Sequence, residues 1–333
     1  MTQTNRQWLI NGRPNGRPLR DDDFNLVQSA PRAPAPGEAL VRILYLSFDP
    51  AQKGWMENIG GYAAATEIGD VMRARGVGEV VASEDPALSP GDKVLGQLGW
   101  QDYATLSAKD LEKLPDDGLL TAHLGVLGGT GLTAFFGLKN IGTPFPGDTV
   151  VVTGAAGATG SVVGQIAKIG GCRVIGIAGG EAKCRWLVDE LGFDGAVDYK
   201  QGSVRRQVRA LAPDGVDVLW DNVGGPILNE LLSLIATHAR VVICGGIARY
   251  EAGQLPPGPE NYFNLVFRRA TMQGFLLSDY ADEFPMGRAR LSTWLQEGRL
   301  KHREDVQQGL ENAPATLKRL FHGENLGKQL LRV

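Results

Sequence analysis

The twenty residues from Thr149 to Lys168 constrain this chain more than any others: TVVVTGAAGATGSVVGQIAK reads as strand, glycine turn and helix in a single pass. Val150, Val151 and Val152 form a β-branched run without polar alternation, the pattern of a parallel strand buried on both faces. Gly154, Gly157 and Gly160 follow at once, although Ala155 stands where the G-x-G-x-x-G spacing usually begins. Glycine lets the backbone turn with positive φ and approach a pyrophosphate closely, and a third glycine lets the next helix pack on the strand. Val162, Val163, Ile166, Ala167 and Ile169 give that helix an apolar face, with Gly164 as a second close-packing point. The segment therefore predicts a dinucleotide site with the phosphates on a helix N-terminus. An ordinary tight turn without a ligand is the alternative.

At 333 residues the chain exceeds one ordinary core, so two domains are expected. Its 45 glycines suit a fold full of tight turns. A formal charge of −3 provides no electrostatic footprint for nucleic acid or an anionic membrane. No run approaches the ~18 apolar residues of a membrane span, and the opening MTQTNRQWLINGRPNGRP has no apolar signal core. A soluble, cytoplasmic protein is the expectation. Cys172, Cys184 and Cys244 fall in segments read as strand or helix and are expected to be small buried hydrophobes.

From about Val27 to Leu114, short runs rich in Val, Ile, Leu and aromatics alternate with Pro and Gly: ALVRILYLSFDP, GVGEVVAS, SPGDKVLGQL, WQDYATLS. Such closely punctuated strands predict a compact β-barrel-like domain over 1–122. Beyond Pro146-Gly147-Asp148, apolar strands alternate with helical periods. Helices are expected over 181–191 and 226–235, with another carrying the stripe Val204, Val208, Leu211. Strands are expected over 195–199, 216–221, 240–246 and 271–277. The class is α/β, a doubly wound parallel sheet over 123–290, with 291–333 as a closing helix and tail.

A catalytic zinc needs about three Cys, His or carboxylate ligands and a structural zinc usually four. Residues 1–122 contain neither cysteine nor histidine, and His123, His238, His302 and His322 show no ligand spacing, so no metal is expected. Hydride chemistry needing only a cofactor and a proton donor is favoured. An NAD site usually places Asp or Glu at the end of its second strand. Here that strand ends in Ala178-Gly179-Gly180, followed by Lys183 and Arg185, which favours the 2′-phosphate of NADP(H). Glu181 competes for the ribose, and a solvated Glu181–Arg185 pair at i, i+4 is the plainer reading.

These residues resemble the zinc-independent branch of the medium-chain dehydrogenase/reductases, in the group of leukotriene hydroxydehydrogenases, prostaglandin reductases and curcumin reductases. The resemblance rests on YLSFDP, LGVLGGTGLTAFFGL, GAAGATGSVVGQIAK, GCRVIGIAGGEAKCRWL, DNVGG, LPPGP, MQGFLL and ENLGK, and spans nearly the whole chain. It implies a homodimer of a GroES-like barrel and a Rossmann domain, with residues 291–333 returning to the barrel. By the same resemblance, Ala156, Gly157, Ala158, Thr159 and Gly160 hold phosphates, and Lys183 and Tyr199, beside Gly179, hold the 2′-phosphate. Further cofactor contacts fall on Asn222, Cys244, Gly245, Ile247, Tyr250, Phe275, Leu276, Leu277 and Asn325, with Thr133 near the nicotinamide. The chain departs from the group at Gly129-Thr130-Gly131, where Met-Pro-Gly is common. It departs again at Ala248-Arg249-Tyr250-Glu251, which keeps the tyrosine of Ser-x-Tyr-Asn without its neighbours.

The implied reaction is NADPH-dependent reduction of the C=C bond of an α,β-unsaturated aldehyde or ketone, with hydride arriving at the β-carbon. Charge gathering on the carbonyl oxygen calls for donors, and the α-carbon needs a proton. Tyr250 and Tyr62 are the candidate donors, since phenol is neutral near pH ~7 and apolar in body. Tyr250 as a cofactor contact and Tyr62 as a pocket wall remain alternatives. Trp55 and Met56 are candidates for the substrate pocket or, equally, the barrel core. The glycine pairs 224–225 and 245–246 end strands at a ligand edge or provide sharp turns. Competing functions on this scaffold are quinone reduction, secondary-alcohol oxidation, and NADPH binding without turnover.

Overall fold

The computed structural model describes residues 4–57, 66–253 and 257–333. Two compact units emerge, one built from 1–124 with 304–333 and the other from 125–303. The first unit contains β1 (Asn5–Ile10), β2 (Phe24–Ser29), β3 (Glu38–Ser47), α1 (Ala51–Glu57), β4 (Arg75–Ser83), β5 (Lys93–Gln97), β6 (Tyr103–Ser107) and β7 (Glu112–Lys113). β1 and β2 form a separate antiparallel pair. β3 organises the rest: β4 runs along one edge, while β6 pairs with its first half and a later strand with its second. Two register shifts against β4 bend it as the small barrel requires. Inside lie Phe24, Phe48 and Trp100, with Trp100 ring centroids 5.2 and 5.1 Å from its two neighbours.

The second unit runs α2 (Gly129–Gly137), β8 (Thr149–Thr153), α3 (Ala158–Ile169), β9 (Arg173–Ala178), α4 (Glu181–Arg185), β10 (Gly195–Asp198), α5 (Val204–Leu211), β11 (Val216–Asp221), α6 (Gly225–Leu232), β12 (Ile235–Ile243), α7 (Asn264–Arg268), β13 (Thr271–Gly274) and α8 (Phe284–Gln296). Its six strands are parallel and lie in the order β10-β9-β8-β11-β12-β13. Strand order reverses beside β8, the first strand in sequence, so this is the doubly wound Rossmann arrangement, with a crevice between β8 and β11. The valine run behaves as its composition dictates: Val150, Val151 and Val152 have no exposed surface. Helix α3 packs so closely on the segment leading into β10 that a Cβ on Gly164 would stand 1.9 Å from the Phe193 ring.

Several sequence expectations shift. The helix expected over 226–235 ends at Leu232, and the next strand begins at Ile235 rather than 240. Exposed Thr237 and His238 hide that strand's start; His238 has φ +64, and the pairing with β11 is irregular there. The sixth strand stops at Gly274, because Phe275 leaves the ladder to pack against Trp220 with centroids 6.0 Å apart. Cys172 and Cys244 sit one residue outside β9 and β12; Cys184 is on α4, and all three are free thiols.

The chain then re-enters the first unit as β14 (Glu304–Gln308), α9 (Ala313–Phe321) and β15 (Lys328–Arg332), with β15 seated between β14 and β3. The units divide after Leu124 and Arg303, so α8 lies wholly in the second, on both sides of the boundary expected at 290.

Candidate active site at the carboxyl edge of the parallel sheet

Parallel strands deliver their following loops to one edge, and in this unit almost every candidate residue follows a strand. Gly154 to Gly160 follow β8, Gly179 to Lys183 follow β9, Tyr199 follows β10, Asn222 follows β11, Cys244 to Tyr250 follow β12, and Phe275 to Leu277 follow β13. Topology alone gathers them.

The turn after β8 shows why Ala155 is tolerated. Gly154, one residue earlier, takes the left-handed conformation at φ +58, while Ala155 is buried and donates its N–H to Ile177 O at 3.0 Å. A Cβ on Gly160 would lie 2.4 Å from Gly154 O, so only glycine lets α3 start this close to the turn. The first helical bond runs from Ser161 N to Gly157 O, 3.1 Å. The N–H groups of Ala158, Thr159 and Gly160 therefore have no acceptor within the helix, and Gly157 brings no capping side chain. Here the residues fit a nucleotide phosphate: bare donors, a positive dipole end and a cradle that a side chain would fill.

Beyond β9, Gly179 has a steric reason to be glycine, since a Cβ would meet the Tyr199 ring at 2.8 Å. Tyr199 is exposed and lies over that backbone, with the Lys200 ammonium 6.0 Å from its ring. Asp198 Oδ1 accepts from Gly180 N and Lys200 N, both 2.9 Å, so that oxygen is committed to the backbone. Lys183 is half-buried on α4. The alternative pair also forms: Arg185 Nε lies 3.7 Å from Glu181 Oε1, both side chains exposed.

Between β8, β11 and β12 the structure reveals residues that sequence reasoning missed. Asp221 is fully buried. Its Oδ1 accepts from Thr153 Oγ1 at 2.7 Å and Val223 N at 3.2 Å, and its Oδ2 from Gly224 N at 2.9 Å. Burial pushes this carboxyl above the usual aspartate value against the pull of those three bonds. Asn222 donates from N to Thr153 Oγ1 and from Nδ2 to Thr153 O, while its Oδ1 accepts from Trp220 Nε1. It is thus largely committed to the junction. Gly224 and Gly225 turn at φ +72 and +58, which makes them the sharp-turn glycines of the two pairs. Cys244, half-buried, has its thiol pushed up to about 12 by burial and, secondarily, by the Asp221 charge. Gly245 is exposed and Ile247 half-buried; Tyr250, also half-buried, closes a short 3-10 turn by donating N–H to Ile247 O at 3.2 Å. A hint was available: an aspartate ending the apolar run VDVLWD, just before Asn-Val-Gly-Gly, is an acceptor placed where turn N–H groups must be satisfied.

Thr133 uses its hydroxyl inside α2, donating to Gly129 O at 2.7 Å. A Cβ on Gly129 would be 4.0 Å from Leu277 Cδ2, so the start of that helix borders the loop after β13. Leu276 is exposed. In the first unit, Met56 is wholly buried within the core cluster, consistent with the core alternative. Trp55 is half-buried beneath the Arg73 guanidinium at 5.8 Å, and its indole N–H has no acceptor among the described residues. Asn325 donates from Nδ2 to Gly327 O at 2.9 Å. Tyr62 lies outside the described residues.

The comparisons with known proteins fit this architecture. A family model described as the N-terminal domain of oxidoreductase matches residues 6–114, and one described as zinc-binding dehydrogenase matches 158–292. NADPH-dependent curcumin reductase of Escherichia coli is 40% identical, with 99% of this chain and 97% of that protein covered. The NADP(+)-dependent 2-alkenal reductase of Nicotiana tabacum is 35% identical, covering 99% and 98%. The chain belongs to the curcumin, prostaglandin and 2-alkenal reductase group of the medium-chain dehydrogenase/reductases. Among solved structures, CurA of Vibrio vulnificus in complex with NADPH superposes with a TM-score of 0.93 at 40% identity, covering 98% of this chain and 99% of that one. Despite the second family description, no group of three or more His, Cys, Asp or Glu side chains among the described residues could hold a metal ion.

Proposed function

We propose that this protein is an NADPH-dependent reductase of the C=C bond of α,β-unsaturated aldehydes and ketones. The observation that carries the reading is the glycine-walled α3 N-terminus at the switch point, in a chain 40% identical throughout to an NADPH-dependent reductase. When bound, NADPH supplies the hydride that the β-carbon of the substrate receives. The chain's residues do the rest. The N–H groups of Ala158, Thr159 and Gly160 bind pyrophosphate; Lys183, with Tyr199, selects the 2′-phosphate through a charge-assisted bond. The phenols of Tyr250 and Tyr62 are the donors for the carbonyl oxygen, where negative charge collects, and for the α-carbon. The lack of cysteine and histidine in residues 1–122 favours a reaction without zinc.

The decisive experiment measures NADPH consumption against enals, enones, quinones and secondary alcohols, repeated with NADH and with Lys183→Ala and Tyr250→Phe. Enone-dependent oxidation of NADPH over NADH is expected. Lys183→Ala should lose that preference through a roughly 10- to 100-fold weaker NADPH affinity, and Tyr250→Phe should lower kcat by about 100-fold, the scale of one general acid. Rates confined to quinones would remove the enone assignment.

A homodimer is also inferred. All four residues of the edge strand β13 are exposed, and beside it Tyr262, Phe263, Val266 and Phe267 stand 53–66% exposed. An open strand edge flanked by aromatics is a surface that a second copy covers. Light scattering should return twice the chain mass; a monomeric mass at micromolar concentration would refute the inference. The free cysteines and the absence of a long apolar helix among the described residues favour a cytoplasmic setting. The slightly acidic charge gives no support to a nucleic-acid partner.

A further inference from the structure

Asp221 is a buried carboxylate without a cation: every donor to it among the described residues is a hydroxyl or a backbone N–H. A charge held this way is costly unless each acceptor position is used, and here the positions are shared out among separate loops. Thr153, which ends β8, donates its hydroxyl to Asp221 and accepts from Asn222 N at 2.8 Å. Val223 and Gly224, in the turn before α6, donate to the carboxylate. The Asp221 carbonyl accepts from Cys244 N at 2.9 Å and Gly245 N at 3.1 Å, which starts the loop after β12. One residue therefore ties together the loops on both sides of the crevice.

We propose that Asp221, acting through Thr153, is the positioning residue of the cofactor site: it sets the loops after β8, β11 and β12 in mutual register and so determines how tightly the nicotinamide nucleotide is held. The inference rests on the NADPH reading above. An amide cannot replace the carboxylate. Whichever way Asn turns at 221, either Val223 N–H or Gly224 N–H faces an NH2 group, and the turn must open.

The test uses the full chain with Thr153→Val, Thr153→Ser, Asp221→Asn and the double variant Thr153→Val/Asp221→Asn. NADPH dissociation constants are measured by fluorescence titration without any enone, and melting temperatures alongside. Thr153→Val and Asp221→Asn should each weaken NADPH by about tenfold or more. Thr153→Ser, which keeps the hydroxyl, should stay within about threefold. The double variant should bind no worse than the weaker single one, because both break one network. Unchanged NADPH affinity in Thr153→Val and Asp221→Asn, with only the melting temperature lowered, would reduce Asp221 to a structural residue and overturn the proposal. Should Asp221→Asn fail to fold, the contrast between Val and Ser at 153 decides alone. If the unmutated protein itself fails to bind NADPH, the cofactor reading falls and takes this one with it; binding that survives every variant defeats only this one.

Discussion

Two buried aspartates, one in each unit, are held by opposite means. Asp23 in the first unit is 1% exposed and sits against the Arg17 guanidinium at 2.5 Å, with Arg20 N donating at 2.8 Å. Burial pushes its carboxyl up, but the arginine and the backbone bond outweigh that and leave it below the ordinary aspartate value. Asp221 is as buried, has only neutral donors, and ends above that value. Desolvation is common to both; a neighbouring cation decides the sign. Other buried charges in the first unit follow the pattern of Asp23, as Lys53 and Glu57 pair at 2.5 Å with side chains 0% and 3% exposed. The first unit thus holds its buried charges in ion pairs, whereas the second holds the buried carboxylate at its carboxyl edge with a hydroxyl and backbone N–H groups alone.

The strongest way to break this contrast is Lys53→Met, which takes the ion-pair partner from buried Glu57 and leaves it the N–H of Gly16 at 3.1 Å. A loss of about 3–5 kcal/mol in chemical denaturation is expected, and Lys53→Met/Glu57→Leu should recover most of it. No recovery would mean that shape, not charge, holds α1. Arg17→Met sharpens the comparison by taking from Asp23 its bonded cation and bringing its surroundings closer to those of Asp221, at a cost of about 2 kcal/mol near neutral pH. The sign follows from linkage. Asp23, depressed in the fold, contributes stability above the ordinary carboxylate range and loses it as pH falls through its folded value; in Arg17→Met, with burial no longer outweighed by the arginine, that acid loss should disappear and the variant's deficit against wild type should shrink as pH falls. For Asp221, raised in the fold, stability instead declines as pH rises from the ordinary aspartate value through the raised one. Denaturation midpoints for wild type and Arg17→Met across the acid range check this, and superimposable pH profiles would contradict it. The smallest effect is expected at the surface. Glu38, held at about 2 by the Arg32 hydrogen bond and by Ala35 N, is half-exposed and faces an exposed arginine. Its pair should add little, and the melting difference between wild type and Glu38→Gln should shrink as pH falls towards about 2.

Legibility in the sequence followed what each residue must satisfy. The valine run and the glycine turn were readable because a doubly buried strand and a close helix start admit few other residues. The first half of strand β12 is hidden because Thr237 and His238 lie exposed within it, and polar residues after a leucine-rich helix look like the helix's end. The placement of α8 was ambiguous because an amphipathic period reveals a buried face but not the partner beneath it; Gly287, against Leu132 and Phe136 of α2, makes that choice. Thr153 and Asp221 escaped notice because their work is done for backbone groups across three loops, and no local spacing records such a partnership.

The placement of β15 carries a consequence for synthesis. Leu330 and Leu331 have no exposed surface in a strand lying between β14 and β3, yet they follow the whole second unit in the chain. As the polypeptide emerges from the ribosome, the parallel-sheet unit has all its strands first. The barrel, although begun earlier, must wait with an open seam for its last staves.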